Sequence, residues 1–262
     1  MSSKLIFIEG LPGSGKTTLT KKVLLRLKQK NPDAKAFLES ELPNPINFAG
    51  YAYLTLNEFD NLKKRYPNCE FVHAVFSSEY VLVPYPFSAN QFKETEEYPK
   101  ELVQYLRSKE FSCRPQNKVG FNVYSKTMLD RWNVFSNGLT GKEEFVFDGD
   151  ILQHPLDDIL HNYDIPQSQI ESHILKTADI ISKLNAKVFY ISQTNIEESL
   201  ARVAVERKRS IFIDPIWHEH WRKRKSIELN IIKNLPIKSQ IIDNSNYDWT
   251  NVYNTIVRGI EK

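Results

Sequence analysis

The chain has 262 residues, 41% apolar and 26% charged, a composition typical of an ordinary soluble protein with room for one α/β domain carrying an insertion. The 35 Lys and Arg residues against 32 Asp and Glu residues leave a net charge of +3, too small to indicate nucleic acid or an anionic membrane as a partner. The chain has only two cysteines, which argues against a disulfide scaffold and a Cys/His metal site, so we expect both to be free thiols. No apolar run is long enough for a membrane span, and we expect a cytoplasmic location.

The first elements predict a βαβ unit. Residues 5–8 form a continuous apolar run, typical of a strand that is buried on both faces in a parallel sheet. From Lys16 the apolar residues fall at helical spacing until Asn31 and Pro32 end the pattern. Residues 34–38 then predict a second strand, so the chain opens as strand, Gly-rich turn, helix and strand.

The middle of the chain departs from this regular alternation because it is rich in proline and aromatic residues. We interpret residues 40–140 as a substrate-binding insertion within one domain that spans residues 1–262. Its aromatic side chains could stack on a substrate ring or could equally form core. The patterns predict a helix over 51–65, one or two strands over 71–83, and helices over 98–109 and 121–136.

The last third returns to alternating strands and helices. A short apolar run over 145–147 ends in Asp148, and further strands are predicted over 187–192 and 240–242. Together with the opening unit, this pattern predicts an α/β fold of three layers with a mostly parallel sheet. Helices are predicted over 170–184, 196–207, 215–234 and 251–260.

A phosphate-binding motif lies between the first predicted strand and helix. Its glycines permit positive φ angles and close approach of an anion, and successive N–H groups can then point inward as an anion-binding nest. The lysine would reach the β- and γ-phosphates, the first threonine would be a Mg²⁺ ligand, and the helix N-terminus adds partial positive charge. We therefore expect ATP with Mg²⁺ to bind the run Gly10-Leu11-Pro12-Gly13-Ser14-Gly15-Lys16-Thr17-Thr18, whose first eight residues match G-x-x-x-x-G-K-[ST].

Acidic residues follow three of the predicted strands. Ligands lie beyond the carboxyl ends of strands in open α/β sheets, so Asp148 could hold Mg²⁺ or act on an acceptor hydroxyl, with Asp150 ranked below it. Glu39, with Glu41 close by, could orient an attacking hydroxyl or take its proton. Each could instead be a turn, cap or solvated loop residue. Asp243 is assigned to the base-binding region or a cap.

Basic residues cluster at the end of the helix predicted over 196–207. Arg202 and Arg207 are the best candidates for a lid that neutralises charge during phosphoryl transfer, and Lys208 and Arg209 follow them. A solvated helix end is the alternative. Residues 222–225 are expected to form a solvated face. Arg131 could reach a bound acceptor or form a surface ion pair.

These motifs resemble those of P-loop kinases of small molecules, the group of nucleoside, nucleotide, shikimate and gluconate kinases. A closer resemblance is to bacterial P-loop proteins often labelled thymidylate-kinase-like, although these carry Glu where this chain has Asp148. The pattern Asp-Arg-[Tyr/Phe] of thymidylate kinases is missing after the third strand, so thymidylate does not follow as the substrate. The resemblance rests on residues 7–18, Glu39-Ser40-Glu41-Leu42-Pro43-Asn44-Pro45, Arg131-Trp132 and Asp148-Gly149-Asp150-Ile151-Leu152-Gln153-His154-Pro155.

The leading hypothesis is a kinase that moves the γ-phosphate of ATP to a hydroxyl of a nucleoside, nucleotide, sugar derivative or antibiotic. Lys16, Mg²⁺ and lid arginines would stabilise charge, while Glu39 or Asp148 positions the nucleophile. The alternative is an NTP-hydrolysing switch or regulator without a small-molecule acceptor. We expect a small-molecule partner, no nucleic acid and no membrane, and we leave a homodimer open.

Overall fold

The computed structural model describes residues 3–39, 44–87, 95, 97–113, 115–208 and 210–261, with the side chains of 210 and 211 excepted. Glu41 and Arg209, which the sequence offered as candidates, lie outside the described residues, as do Ser40, Leu42 and Pro43. The chain divides into two compact units: residues 1–39, 132–156 and 165–262 form the first, and residues 40–131 and 157–164 form the second.

The first unit is built on a five-stranded sheet in which every strand pair is parallel. The order is β2-β6-β1-β7-β8, so the strand that precedes the phosphate motif is central. This arrangement confirms the predicted α/β fold with a mostly parallel sheet. The strands are β1 (Lys4–Gly10), β2 (Lys35–Phe37), β6 (Glu144–Asp148), β7 (Asn185–Ser192) and β8 (Lys238–Asp243).

Helices cover both faces of this sheet, which explains why β1 is a continuous apolar run. Ile6 and Ile8 pack with apolar residues of α1 and α9 on one face. On the other face Phe7 stacks on Phe147 at 4.8 Å and meets Trp132. The helices of this unit are α1 (Lys16–Lys28), α6 (Gln167–Ser182), α7 (Ile196–Arg207), α8 (Pro215–Lys233) and α9 (Trp249–Glu261).

The second unit holds a small antiparallel sheet of order β3-β5-β4, with its own apolar core. Its strands are β3 (Tyr51–Thr55), β4 (Val75–Phe76) and β5 (Tyr80–Pro84), and its helices include α2 (Leu56–Arg65) and α3 (Lys100–Ser108). Two further helices cross the division between the units: α4 (Phe121–Asn137) and α5 (Gln153–Asn162).

The helix predicted over 51–65 is wrong in its first third, because β3 occupies Tyr51–Thr55. Tyr53 pairs with Leu82 of β5, and Ala52 and Leu54, two residues apart on one face of the strand, enter the apolar core of this unit. Thr55 then begins α2 through a capping box with Glu58. The cap needs extended backbone at Thr55, so the helix starts only after it.

The remaining predicted strands and helices are confirmed with small shifts at their ends, while α5 was not predicted. Cys69 and Cys113 are thiols. Among the described helices, none combines the length and apolar composition that crossing a bilayer requires. The role of residues 40–140 in binding a substrate stays a prediction. Buried aromatic residues of this segment include Tyr51, Tyr80, Tyr85, Tyr124 and Trp132.

Candidate active site

The phosphate loop links the end of β1 to the start of α1 and depends on glycine at fixed positions. Gly10, Gly13 and Gly15 have φ angles of 143°, 80° and 81°. A Cβ on Gly13 would lie 2.3 Å from Val203 Cγ2, and one on Gly15 would lie 2.3 Å from the Trp249 ring. Both the backbone angles and the close neighbours therefore require glycine at these positions.

Lys16 is buried at the first position of α1, and its Nζ donates a 3.0 Å hydrogen bond to the carbonyl oxygen of Leu11. The side chain thus folds back over the loop that precedes it. Burial lowers its pKa, while the negative charges of Asp148 and Glu39 act in the opposite direction. Because burial disfavours the charged form of this ammonium group, an oxyanion bound beside it would stabilise that form.

Thr17 and Asp148 form the contact that joins the loop to the neighbouring strand. The Thr17 hydroxyl donates to Asp148 Oδ2 at 2.5 Å, and Asp148 ends β6 beside Ile8 of β1. Asp148 is fully buried, and burial raises its pKa against the effects of the Lys16 charge and the Thr17 hydrogen bond. Its Oδ1 has no hydrogen-bond partner among the residues that the structure describes.

These groups fit a magnesium ion. A buried carboxylate oxygen without a partner and a hydroxyl beside it are hard oxygen donors, which Mg²⁺ prefers. Mg²⁺ usually binds through one or two protein groups and substrate phosphates rather than an all-protein cage, and the nearby phosphate loop suits that arrangement.

Glu39 follows β2 and lies at the same edge of the sheet as Asp148, because Phe37 pairs with Phe147 in the parallel register. Glu39 is solvent-exposed, and desolvation by the surrounding protein atoms acts to raise its pKa. The positive charges of His154, Lys16 and Arg207 outweigh this effect, so the pKa is lowered overall. The structure therefore brings an ionised carboxylate together with the loop lysine and Asp148.

The two lid arginines on α7 occupy different surroundings. Arg202 donates to the Gly13 carbonyl oxygen at 2.9 Å, and its guanidinium lies 4.3 Å from the Tyr247 ring centroid. Arg207 lies 6.0 Å from the Phe212 ring centroid, and its charge contributes to lowering the pKa of Glu39. Arg202 thus touches the phosphate loop directly, whereas Arg207 stands at the end of the helix.

Three groups next to this site, the buried Glu9 and Asp150 and the half-buried His154, were missed or underrated from the sequence. His154 Nδ1 lies 2.6 Å from Asp150 Oδ1. Burial acts to lower the His154 pKa, but Asp150, Glu39 and Glu9 together outweigh this effect and raise the pKa to about 10. Glu9, directly before Gly10, is fully buried and accepts hydrogen bonds from backbone N–H groups that begin α5. A carboxylate inside an apolar strand was the only sequence signal for Glu9.

The expectation of a solvated face over residues 222–225 is wrong for Arg224, which is fully buried. Its Nε donates to Glu228 Oε1 at 2.7 Å, and Glu228 Oε2 accepts from the Tyr190 hydroxyl at 2.6 Å. Residues four apart share one helix face, so Arg224 and Glu228 enter the interior together as a pair. Arg222, by contrast, is exposed and pairs with Glu197.

Arg131 belongs to the second unit, where it forms a local cluster with its neighbour. Its Nη2 donates to Asp130 Oδ2 at 2.7 Å, and its guanidinium lies 5.5 Å from the Tyr80 ring centroid. The Tyr80 hydroxyl donates to the same Asp130 oxygen at 2.6 Å. An action of Arg131 on an acceptor stays a prediction.

No family model and no curated protein matches the chain. Solved structures similar to it include thymidylate kinase from Ehrlichia chaffeensis, with 11% identity and a TM-score of 0.45 over 99% of this chain and 100% of that one. Deoxyadenosine kinase from M. mycoides has 14% identity and a TM-score of 0.43, over 98% of each chain. The YGR205w protein has 11% identity and a TM-score of 0.40 over 94% of this chain and 87% of that one.

At these identities and TM-scores, the fold assignment rests on the chain itself. A central parallel strand, a glycine loop with positive φ angles and a helix that begins at Lys16 together form the strand-loop-helix arrangement that the phosphate-binding motif predicts.

Proposed function

We propose that this chain is a kinase that transfers the γ-phosphate of ATP to a hydroxyl group of a small molecule, which is a nucleoside, nucleotide, sugar derivative or antibiotic. The observation that carries the proposal is the Thr17–Asp148 contact beside Lys16. It places a hydroxyl, a partnerless carboxylate oxygen and a buried cation at the end of one glycine loop.

The phosphates of ATP would bind in the loop between Gly10 and Thr17. Backbone N–H groups of the loop and the N-terminus of α1 supply partial positive charge, and Lys16 would exchange the Leu11 carbonyl for phosphate oxygens. Arg202 already contacts the Gly13 carbonyl, so a small movement of its side chain would bring its guanidinium to the same phosphates.

Thr17 and Asp148 would hold Mg²⁺, which would supply positive charge next to the phosphates when bound. Arg202 and Arg207 would add positive charge as the transition state develops, in a site from which water is partly displaced.

Glu39 is the better placed of the two carboxylates to act on the acceptor hydroxyl. Asp148 is fully buried and engaged with Thr17, whereas Glu39 is exposed and has a lowered pKa. An ionised, accessible carboxylate can accept a hydrogen bond from the attacking hydroxyl and orient it toward the γ-phosphate. Residues 40–140 would supply the acceptor pocket.

The deciding experiment measures ATP consumption against a panel of nucleosides, nucleotides, sugars and antibiotics, with the product mass determined. A gain of about 80 mass units on one compound identifies phosphoryl transfer. Lys16→Ala should abolish turnover, and Lys22→Ala, an exposed lysine on the same helix, is the matched control that should retain it. Hydrolysis without any acceptor dependence, stimulated by a protein partner, would instead establish the switch ATPase.

A further inference from the structure

Glu9 connects the phosphate loop strand to the start of α5. Its Oε1 accepts from the backbone N–H groups of Ile151 and Leu152 at 2.9 and 3.2 Å, and its Oε2 accepts from that of Gln153 at 3.1 Å. The first N–H groups of a helix have no partner within the helix, and its N-terminus carries partial positive charge. The fully buried Glu9 carboxylate satisfies both needs at once.

The helix N-terminus that Glu9 contacts also bears a charged residue that acts on Glu39. His154, in the first turn of α5, pairs with Asp150 at 2.6 Å. Its positive charge is the largest of the effects that lower the Glu39 pKa. Asp148, Asp150 and His154 all lie within seven residues of sequence, so the path of this segment sets where their charges stand relative to one another.

We propose that Glu9 is a positioning residue for phosphoryl transfer, because it fixes the first turn of α5 and thereby sets the position of the His154 charge beside Glu39. This inference rests on the proposed function. Glu9 itself does not touch ATP or the acceptor; it acts through the backbone of Ile151, Leu152 and Gln153.

The ionisation of Glu9 supports this role. Burial raises its pKa to about 7 against the lowering effect of the N–H donors, and the negative charge of Glu228 raises it further. The other charged or titratable groups that act on it are Lys16 of α1, His154 of α5 and Tyr190 of β7. Protonation converts one oxygen to a hydroxyl and weakens the grip on the N–H groups, so the α5 end should loosen as pH falls through this range.

The test follows the ring of His154 by ¹⁵N nuclear magnetic resonance as pH is varied, in the full chain without ligands, with His154→Asn to assign the signal. In the wild-type protein the ring should stay protonated past neutral pH and show a small step near pH 7 as Glu9 titrates. Glu9→Gln should remove the step and lower the apparent His154 pKa by at least about one unit. The variant lacks both the negative charge near His154 and the carboxylate that fixes the first turn of α5.

Glu110→Gln is the matched control. Glu110 is another buried carboxylate that accepts backbone N–H groups, those of Gly50, Ser112 and Cys113, but it lies in the second unit. This variant should lower thermal stability and leave the His154 titration unchanged. Glu9→Asp keeps the negative charge on a shorter side chain and replaces Glu9→Gln in the test if that variant does not fold. It should lower the His154 pKa by less than Glu9→Gln does.

A His154 titration that is unchanged in folded Glu9→Gln or Glu9→Asp would overturn the positioning role. None of these measurements uses turnover, so failure of the acceptor panel and failure of this inference are distinguishable. Once an acceptor is known, Glu9→Gln should lower kcat at least about 10-fold with little change in KM for ATP, because small misplacement of reacting groups is costly. If the fall in kcat were instead accompanied by a rise of similar size in the KM for ATP, the result would indicate a general structural effect.

Discussion

The Thr17 hydroxyl donates a 2.5 Å hydrogen bond to Asp148 Oδ2, across 131 positions of sequence. The contact exists because β1 and β6 are parallel neighbours, so the residues that follow them meet at one edge of the sheet. It closes the phosphate loop against Asp148, whose Oδ1 is the one buried carboxylate oxygen without a hydrogen-bond partner among the described residues.

Asp148→Asn should separate stability from metal-dependent binding. Burial raises the pKa of Asp148, so its ionised form is costly in the ligand-free fold, and a neutral amide of the same shape can still accept from Thr17. We expect the ligand-free variant to unfold at an equal or higher temperature. The stabilisation by Mg²⁺ and ATP, about 2.7 kcal/mol at 100 times the Kd, should largely disappear. Asp60→Asn, an exposed residue of α2, is the control, and undiminished stabilisation of Asp148→Asn would contradict the metal site.

Glu39→Gln should slow transfer without weakening ATP binding. An amide cannot take a proton, so kcat with an identified acceptor should fall about 100-fold or more while calorimetry gives a nearly unchanged Kd for ATP. Because the Glu39 pKa is lowered, the wild-type rate should fall only as pH drops through that lowered value. His154→Asn should move this fall to higher pH. The exposed Glu219→Gln is the control, and full activity of Glu39→Gln would remove Glu39 from the reaction.

Arg202→Lys should weaken ATP binding although it keeps the charge. The planar guanidinium both donates to the Gly13 carbonyl and stacks over the Tyr247 ring, and an ammonium cannot reproduce this combination. We expect about a 10-fold higher Kd for ATP, measured by calorimetry. Arg258→Lys, on the exposed side of α9, should leave the Kd unchanged. A normal Kd in Arg202→Lys would show that charge alone suffices.

His173 should make the fold sensitive to moderate acid. Burial lowers its pKa from 6.5 to about 4, so below pH 6.5 the unfolded chain takes up a proton that the folded protein does not. The free energy of unfolding should therefore decline from pH 6.5 down to about 4. His173→Gln should abolish about 2–3 kcal/mol of the loss between pH 7 and 4.5, measured by urea unfolding. The exposed His161→Gln should behave like the wild type.

The fold and the phosphate loop could be predicted because their signals are local. Glycine spacing, apolar runs and helical periodicity each lie within about twenty residues of sequence. The boundary at Thr55 could not be read this way, because β3 depends on pairing with β5 and with the segment around Glu110, both distant in sequence. The site residues beyond the loop stay predictions, although the structure places Glu39, Asp148 and Arg202 around it.

Arg224 and Glu9 show what sequence reasoning could not supply. In a run of four basic residues, nothing local tells that Arg224 faces inward to meet Glu228 and Tyr190 while Arg222 faces water. The partners of Glu9 are backbone N–H groups more than 140 residues away. Backbone groups leave no side-chain pattern, so such a contact becomes visible only when the strands are in place.

The indole of Trp249 lies where a Cβ on Gly15 would stand, at the N-terminal cap of α1. The protein therefore carries an intrinsic fluorophore against its own phosphate loop, and indole emission responds to nearby charge and water. Trp132, Trp217 and Trp221 are the remaining tryptophans of the chain, and replacing them with Phe would leave one optical signal that records whether the loop is filled.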